Sequence, residues 1–306
     1  MKNFKAYLAI LVAMIIWSAS FIFTKMGLLS FHPMTVVAVR MTLAVTILWS
    51  YTKLSNRLQK IDKKDYKLFL VAGFVQPFCY FVCEAFGLTM ISSTVASVIL
   101  STIPLFAPFF AFFMLKEKVT WNNILGIFIS MIGVWMVIVE KGALVMKPLG
   151  LFLLCICVVA AILYTVFLRR IPSKYNSSSI VFYVHAISLS FFIPTFVVVD
   201  IPKIFQGNFL ITHELSTLYT SIGAILVLAI FASVIGYILF ASGCRVVGVT
   251  RSNAFCNIMP GCTALIVWLM GGTAPNTIKI AGIAVVILGL FIGQASINKK
   301  KKIPIS

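Results

Sequence analysis

Acidic residues are scarce in this chain: 7 Asp and Glu stand against 25 Lys and Arg in 306 residues, and charged residues of both signs make up only 10%. With 61% hydrophobic residues and a mean hydropathy of +1.08, a water-soluble domain of this composition would aggregate, so that class is excluded. Histidine is rarer still, with His32, His185 and His213 scattered, and the aspartates are only Asp62, Asp65 and Asp200. A membrane-embedded hydrolase or acyltransferase needs convergent His and Asp at one interface, so no enzyme is expected. Neither a phosphate-binding loop nor a nucleotide fold is present, which excludes ATP as the energy source and leaves no cofactor or metal to expect. Seven cysteines (Cys79, Cys83, Cys155, Cys157, Cys244, Cys256 and Cys262) lie in or at the ends of apolar runs, where they serve as small apolar fillers.

What the sequence has in quantity is long apolar runs. Crossing ~30 Å of hydrocarbon at 1.5 Å per residue takes about 20 residues. Runs of that length occupy 6–28, 33–51, 67–89, 94–114, 122–140, 148–168, 179–199, 217–241, 252–271 and 277–296. The expected fold is an all-α integral membrane protein of ten transmembrane helices. The longest connections are 52–66, 171–178 and 200–216, too short for an attached soluble domain. The first run is read as a helix and not as a cleaved signal. Lys2 and Lys5 precede it and Ser18-Ala19-Ser20 is small enough for cleavage, but it continues through Phe21-Ile22-Phe23.

The net charge of +18 follows from topology. With the N-terminus in the cytoplasm, 19 basic residues fall inside: Lys2 and Lys5, six between Lys53 and Lys67, Lys116 and Lys118, Arg169, Arg170 and Lys174, Arg245 and Arg251, and Lys299 to Lys302. Outside are Lys141, Lys147, Lys203 and Lys279, while Lys25 and Arg40 lie within spans. This asymmetry predicts a multi-pass protein of the cytoplasmic (cell) membrane with both termini inside. Facing anionic lipid accounts for the positive charge without a nucleic-acid partner.

Landmarks recur 156 positions apart: Gly87 with Gly243, Pro104 with Pro260, Gly126 with Gly282, and Gly133 with Gly289. Two five-helix repeats are predicted, at 1–141 and 142–298, followed by a basic cytoplasmic tail at 299–306. Because five is odd, the second repeat enters from the opposite side, which makes the repeat inverted. Many secondary transporters are two such bundles rocking around a site near the bilayer midplane.

Several residue patterns point to a known family. They are Trp17-Ser18-Ala19-Ser20-Phe21 with Lys25, Pro33 followed by Arg40, Ser93 to Pro104, and Leu115-Lys116-Glu117-Lys118 ahead of Gly126 and Gly133. In order and spacing the chain resembles the drug/metabolite transporter superfamily, and within it the ten-helix EamA-type exporters. The resemblance implies export of amino acids or similar amphiphilic metabolites. The acidic residue of that motif is not repeated, since Thr273 stands 156 positions after Glu117.

Ionisable groups in the bilayer cost ~2.5 to 3.5 kcal/mol on insertion scales, so each one needs a reason. Arg40, Glu84 and Lys25 lie within roughly 4 to 11 Å of the same surface at 1.5 Å per residue. Glu84 is expected to pair with Arg40 or Lys25, either as an outward gate and proton-coupling element or as a permanent structural ion pair. His185, 145 positions after Arg40, sits about 9 Å from the opposite face and is a second candidate for proton coupling, or a histidine hydrogen-bonded between helices.

Ser97 and Ser101 precede Pro104 as Asn253 and Asn257 precede Pro260. Each proline frees the carbonyl four residues earlier, at Leu100 and Cys256, so both helices offer a polar stripe beside backbone acceptors. Such a stripe lines a cavity or packs helices. Gln76 and Tyr80 share one helix face with Glu84, and Trp17 and Tyr164 are stacking walls or packing residues. Gly126, Gly133, Gly282, Gly289 and Gly293 mark close approach of the fifth and tenth helices, through packing or through a homodimer.

The function expected is secondary active export of a small-molecule substrate by alternating access, coupled to protons. Its alternatives are a transporter of nucleotide- or lipid-linked sugars, which needs a basic cluster at the midplane, and a membrane sensor or regulator without flux.

Overall fold

The computed structural model describes residues 2–115, 121–138, 147–207, 210–212, 214–248, 252–253, 255–272 and 274–295. Lys116 to Lys118, Arg251, Thr273, Lys141 and the 299–306 tail fall outside them. The described residues are helical. Six stretches are long and apolar enough to cross a membrane: Phe4–Gly27, Pro33–Leu54, Lys63–Leu88, Pro148–Arg170, Ser177–Phe205 and Leu215–Val247. Four shorter apolar stretches accompany them, Ser93–Ala107, Ile124–Gly133, Phe255–Leu269 and Thr277–Gly289.

Prolines and caps set the boundaries. α1 (Lys2–Gly27) leads through a turn to α2 (Pro33–Leu54), whose first-turn proline lacks an N–H that the helix has no partner for. α3 (Tyr66–Gly73) and α4 (Tyr80–Leu88) are joined by a widened turn over Phe74–Cys79. Pro77 breaks the helical bonding there and Gln76 is extended, at φ −149 and ψ 121. α5 (Ser93–Leu100), capped by the Ser92 side chain, stops just before α6 (Ile103–Leu115), whose second residue is Pro104. α7 (Trp121–Ile138) closes the first half.

In the second half, α8 (Pro148–Arg170) precedes α9 (Ser177–Val199), capped by Asn176 accepting from Ser179 N at 2.7 Å. A short α10 (Ile201–Phe205) follows. α11 (Leu215–Val227) and α12 (Tyr237–Val247) flank a π-type turn over Leu228–Gly236. α13 (Met259–Leu269) carries Pro260 in its first turn, behind a tight turn at Phe255–Ile258, and α14 (Thr277–Ala295) ends the fold. The fourth and ninth apolar runs, expected as helices kinked at their prolines, are interrupted at 101–102 and at Phe255–Ile258, and α-helix resumes one residue ahead of Pro104 and Pro260.

α7 and α14 pack through glycines 156 positions apart. A Cβ on Gly133 would lie 2.6 Å from Val286 N and 2.7 Å from the Gly282 carbonyl. One on Gly289 would lie 2.6 Å from Ser130 N and 2.7 Å from the Gly126 carbonyl. α7 and α14 therefore run antiparallel and touch through residues 156 apart, and their glycines are occupied by contact within one chain. Gly87 meets Leu154 and the Gly150 carbonyl, whereas Gly243 meets Ile10 and the Ala6 carbonyl. Gly87 and Gly243 stand 156 positions apart, while Leu154 and Gly150 stand 144 positions after Ile10 and Ala6. A longer loop and a longer α11 absorb the twelve extra residues of the second half.

Both ends of the central α2–α9 pair are fastened in an equivalent way. The 55–65 linker grips the start of α9, where Gln59 N donates to Ser179 Oγ at 3.0 Å and Ser179 Oγ donates to the Arg57 carbonyl at 2.8 Å. At the other end, Thr35 N and Oγ1 both donate to the buried Asp200 carboxylate, at 2.7 and 2.8 Å. Thr35 and Ser179 are again 144 apart. Beside the linker, Tyr175 OH donates to Asp65 at 2.7 Å, and Lys174 pairs with Asp62 and Asp65, which hold its amine above the ordinary lysine value, Asp62 foremost.

Candidate functional site

The helix breaks surround one cavity. About 580 Å³ of space free of atoms, including the part that opens outward, lies between α1, α2, the α3–α4 turn, α4, α5–α6, α8, α12 and the Phe255–Met259 segment. Trp17, Arg40, Gln76, Tyr80, Glu84, Tyr164 and Asn253 all line it. A helix opened by a proline or a π-type turn exposes backbone polar groups, which survive in a bilayer only against protein or a wet space. That requirement places breaks and cavity together.

Arg40 is the cavity's cation. It is 2% exposed, and its Nη1 lies 3.8 Å from Glu84 Oε2, an ion pair without a tight hydrogen bond. Its Nε donates to Ser233 Oγ at 2.7 Å, and its Cζ stands 4.0 Å over the Phe81 ring. The guanidinium is thus shared among a carboxylate, a hydroxyl and an aromatic face, which together replace the water it lost. Tyr80, one turn before Glu84, lines the same cavity. Lys25 is half-buried near the end of α1, and Glu84 pairs with Arg40.

Tyr237 connects the rest. Gln76 Nε2 donates to its hydroxyl at 2.8 Å, Tyr164 meets it edge-on at 6.0 Å between ring centroids, and Trp17 does so at 5.2 Å. His185 packs edge-on behind it at 4.7 Å, fully buried, and does not line the cavity. Neither His185 ring nitrogen has a well-formed hydrogen bond, although the backbone of Val181 and Ser233 lies beside the ring. Two cavity groups also stand without partners, Gln76 Oε1 and Tyr164 OH. Buried polar atoms of this kind are available to a solute or to water.

The two polar stripes behave differently. Ser97 and Ser101 donate to the Thr94 and Val98 carbonyls of their own helix, both at 2.7 Å, and neither lines the cavity. Asn253 does line it, with its Nδ2 3.5 Å from Thr165 Oγ1. Asn257 is buried off the cavity, its Oδ1 unpartnered.

The sequence matches the EamA-like transporter family over residues 4–139 and again over 148–293. The chain belongs to that family. It is similar to the uncharacterized transporter YyaM of Bacillus subtilis, 25% identical over 98% of this chain and 97% of that protein. It is also similar to an uncharacterized transporter of Archaeoglobus fulgidus, 26% identical over 94% and 98%. A third relative, the uncharacterized transporter YcxC of Bacillus subtilis, is 30% identical over 61% of each chain. A crystal structure with 15% identity superposes at a TM-score of 0.70, covering 94% of this chain and 98% of its own, which shows a shared fold. As an EamA-like protein the chain is a multi-pass membrane transporter and not an enzyme.

Several cavity residues of this EamA-like chain were not singled out from sequence: Phe81, Tyr237, Phe240 and Thr165. The repeat offset was the available signal, since 156 positions separate Phe81 from Tyr237 and Glu84 from Phe240. Arg40 packs on Phe81 and His185 on Tyr237, but His185 stands one position past the 144-residue offset that relates Thr35 to Ser179.

Proposed function

We propose that this chain is a secondary active transporter that exports small polar or amphiphilic metabolites, such as amino acids, by alternating access. The carrying observation is the Arg40–Glu84 pair, buried and facing a cavity assembled from both halves. Opposite charges at one wall, with partnerless Gln76 and Tyr164 atoms and aromatic surfaces between, suit a solute that has polar and apolar ends. A proton arriving on Glu84 would release Arg40 to Ser233 and Phe81 alone, and this supports coupling to a proton gradient. The reciprocal glycine contacts support two inverted five-helix repeats, 1–141 and 142–298, in which the four shorter apolar stretches also span. The basic-residue asymmetry supports a cell-membrane location with both termini cytoplasmic.

Nucleotide-linked sugars are disfavoured, because Arg40 is the lone Lys or Arg on the described cavity wall and Glu84 already offsets its charge. Efflux decides. Cells expressing the chain and loaded with isotope-labelled metabolites should lose at least one faster than cells expressing Glu84→Gln. Equal retention across the whole labelled pool, with both proteins present in the membrane, would make the chain a sensor and end this reading.

A further inference from the structure

Trp17 forms one wall of the cavity, and its position has a cause on the far side of the indole. Its Nε1 donates to the Ala232 carbonyl at 3.1 Å. Ala232 lies in the π-type turn Leu228–Gly236, where widened bonding leaves a carbonyl for an outside donor. Four residues on is Gly236, and a Cβ there would fall 2.8 Å from Trp17 Nε1 and 3.2 Å from the Phe231 carbonyl. The indole edge fills the volume that any other residue's Cβ would take. Tyr237 and Phe240 fix its remaining faces, at 5.2 and 5.1 Å between ring centroids. With three sides held, the ring can yield only toward the cavity.

We propose that Gly236 is a specificity-determining position: by seating the Trp17 indole against the α11–α12 turn, it sets how far that ring projects into the cavity and so the largest solute accepted. The inference rests on the reading of the cavity as the transport pathway. The repeat supports it from the other half, where the places of Gly236 and Trp17 are taken by Tyr80, 156 positions earlier, and Ala161, 144 positions later. A large residue at one position is matched by a small one at the other in both halves, with the sizes exchanged. Trp17, Tyr80 and Ala161 all line the cavity, and Gly236 backs Trp17.

Cys256 on the cavity wall gives a readout that needs no known substrate. In purified full-length protein with every other cysteine replaced by alanine, its thiolate attacks methyl or benzyl methanethiosulfonate, forming a mixed disulfide and releasing methanesulfinate. The ratio of benzyl to methyl rates measures width. Gly236→Ala should lower that ratio by about tenfold, equivalent to ~1.4 kcal/mol of added barrier. Trp17→Phe should raise it, and the double variant should return it toward the starting value. An unchanged ratio in folded Gly236→Ala, or equal slowing of both reagents, overturns the proposal. If Gly236→Ala does not fold, Trp17→Phe decides, and a ratio that stays put there overturns it too. Failure of even the methyl reagent to reach Cys256 in the parent would instead remove the cavity reading on which the proposal stands.

Discussion

Ser130 Oγ donates to the Val286 carbonyl at 3.1 Å, and the two residues are 156 positions apart. On the proposed inverted repeat, such a pair lies next to the axis relating the halves. Gly133 and Gly289 flank this point at backbone-contact distance. Gly133→Ala and Gly289→Ala should therefore cost stability alike, by about 1–3 kcal/mol as overpacking does. Gly223→Ala, where nothing stands within 4 Å, should be neutral. Thermal unfolding in detergent checks this, and a Gly133→Ala protein as stable as Gly223→Ala would refute it.

Orientation is open to chemistry. Gln206 and Lys60 are exposed in the loop after α10 and in the 55–65 linker. A membrane-impermeant maleimide added to intact cells should label Gln206→Cys and reach Lys60→Cys only after permeabilisation. The opposite pattern would invert the topology.

The apolar runs and the meeting of Arg40 with Glu84 were legible in the sequence, because run length and depth follow from helix geometry. The side on which a small polar residue points was not. Ser97 and Ser101 can bond a carbonyl of their own helix, so they tolerate any surroundings, whereas an Asn amide carries more polar groups than its helix satisfies. The breaks at Phe74–Cys79 and Leu228–Gly236 were hidden for a related reason. In a helix apolar on every side, no hydrophobic period exists for a widened turn to interrupt. His185, expected near the face opposite Arg40, stands beside Ser233, whose hydroxyl Arg40 holds.

Asn253 and Asn257 should part company under mutation. Asn253→Leu removes a polar group from the cavity wall and should abolish labelled-metabolite efflux while leaving the amount of protein in the membrane unchanged. Asn257→Leu, away from the cavity, should retain efflux. Equal loss in both would count against the assignment of Asn253 to the pathway.

The linker clasp allows magnitudes to be compared. Lys174 and Asp62 are both about half exposed, so Asp62→Asn should cost at most ~1 kcal/mol. Tyr175 OH is buried with Asp65 and also accepts from Asp62 N at 3.0 Å, so Tyr175→Phe removes two hydrogen bonds and should cost about 1–3 kcal/mol. Melting temperatures in detergent should rank Tyr175→Phe well below Asp62→Asn, and the reverse order would contradict the burial argument.

The ion pair separates mechanism from structure. Glu84→Gln leaves the Arg40 charge buried with Ser233 and the Phe81 face only, and losing one partner of a buried pair typically costs about 3–5 kcal/mol. Removing both charges, as Arg40→Gln with Glu84→Gln, leaves neutral groups and should recover most of that loss, a non-additivity that residues in contact display. Stability of the double variant in detergent is the first measurement, and proton-gradient-driven efflux from proteoliposomes is the second. A stable double variant that no longer responds to an imposed pH gradient assigns the pair to coupling. Normal efflux with unchanged pH dependence would make it a structural bridge and withdraw Arg40 and Glu84 from the transport mechanism.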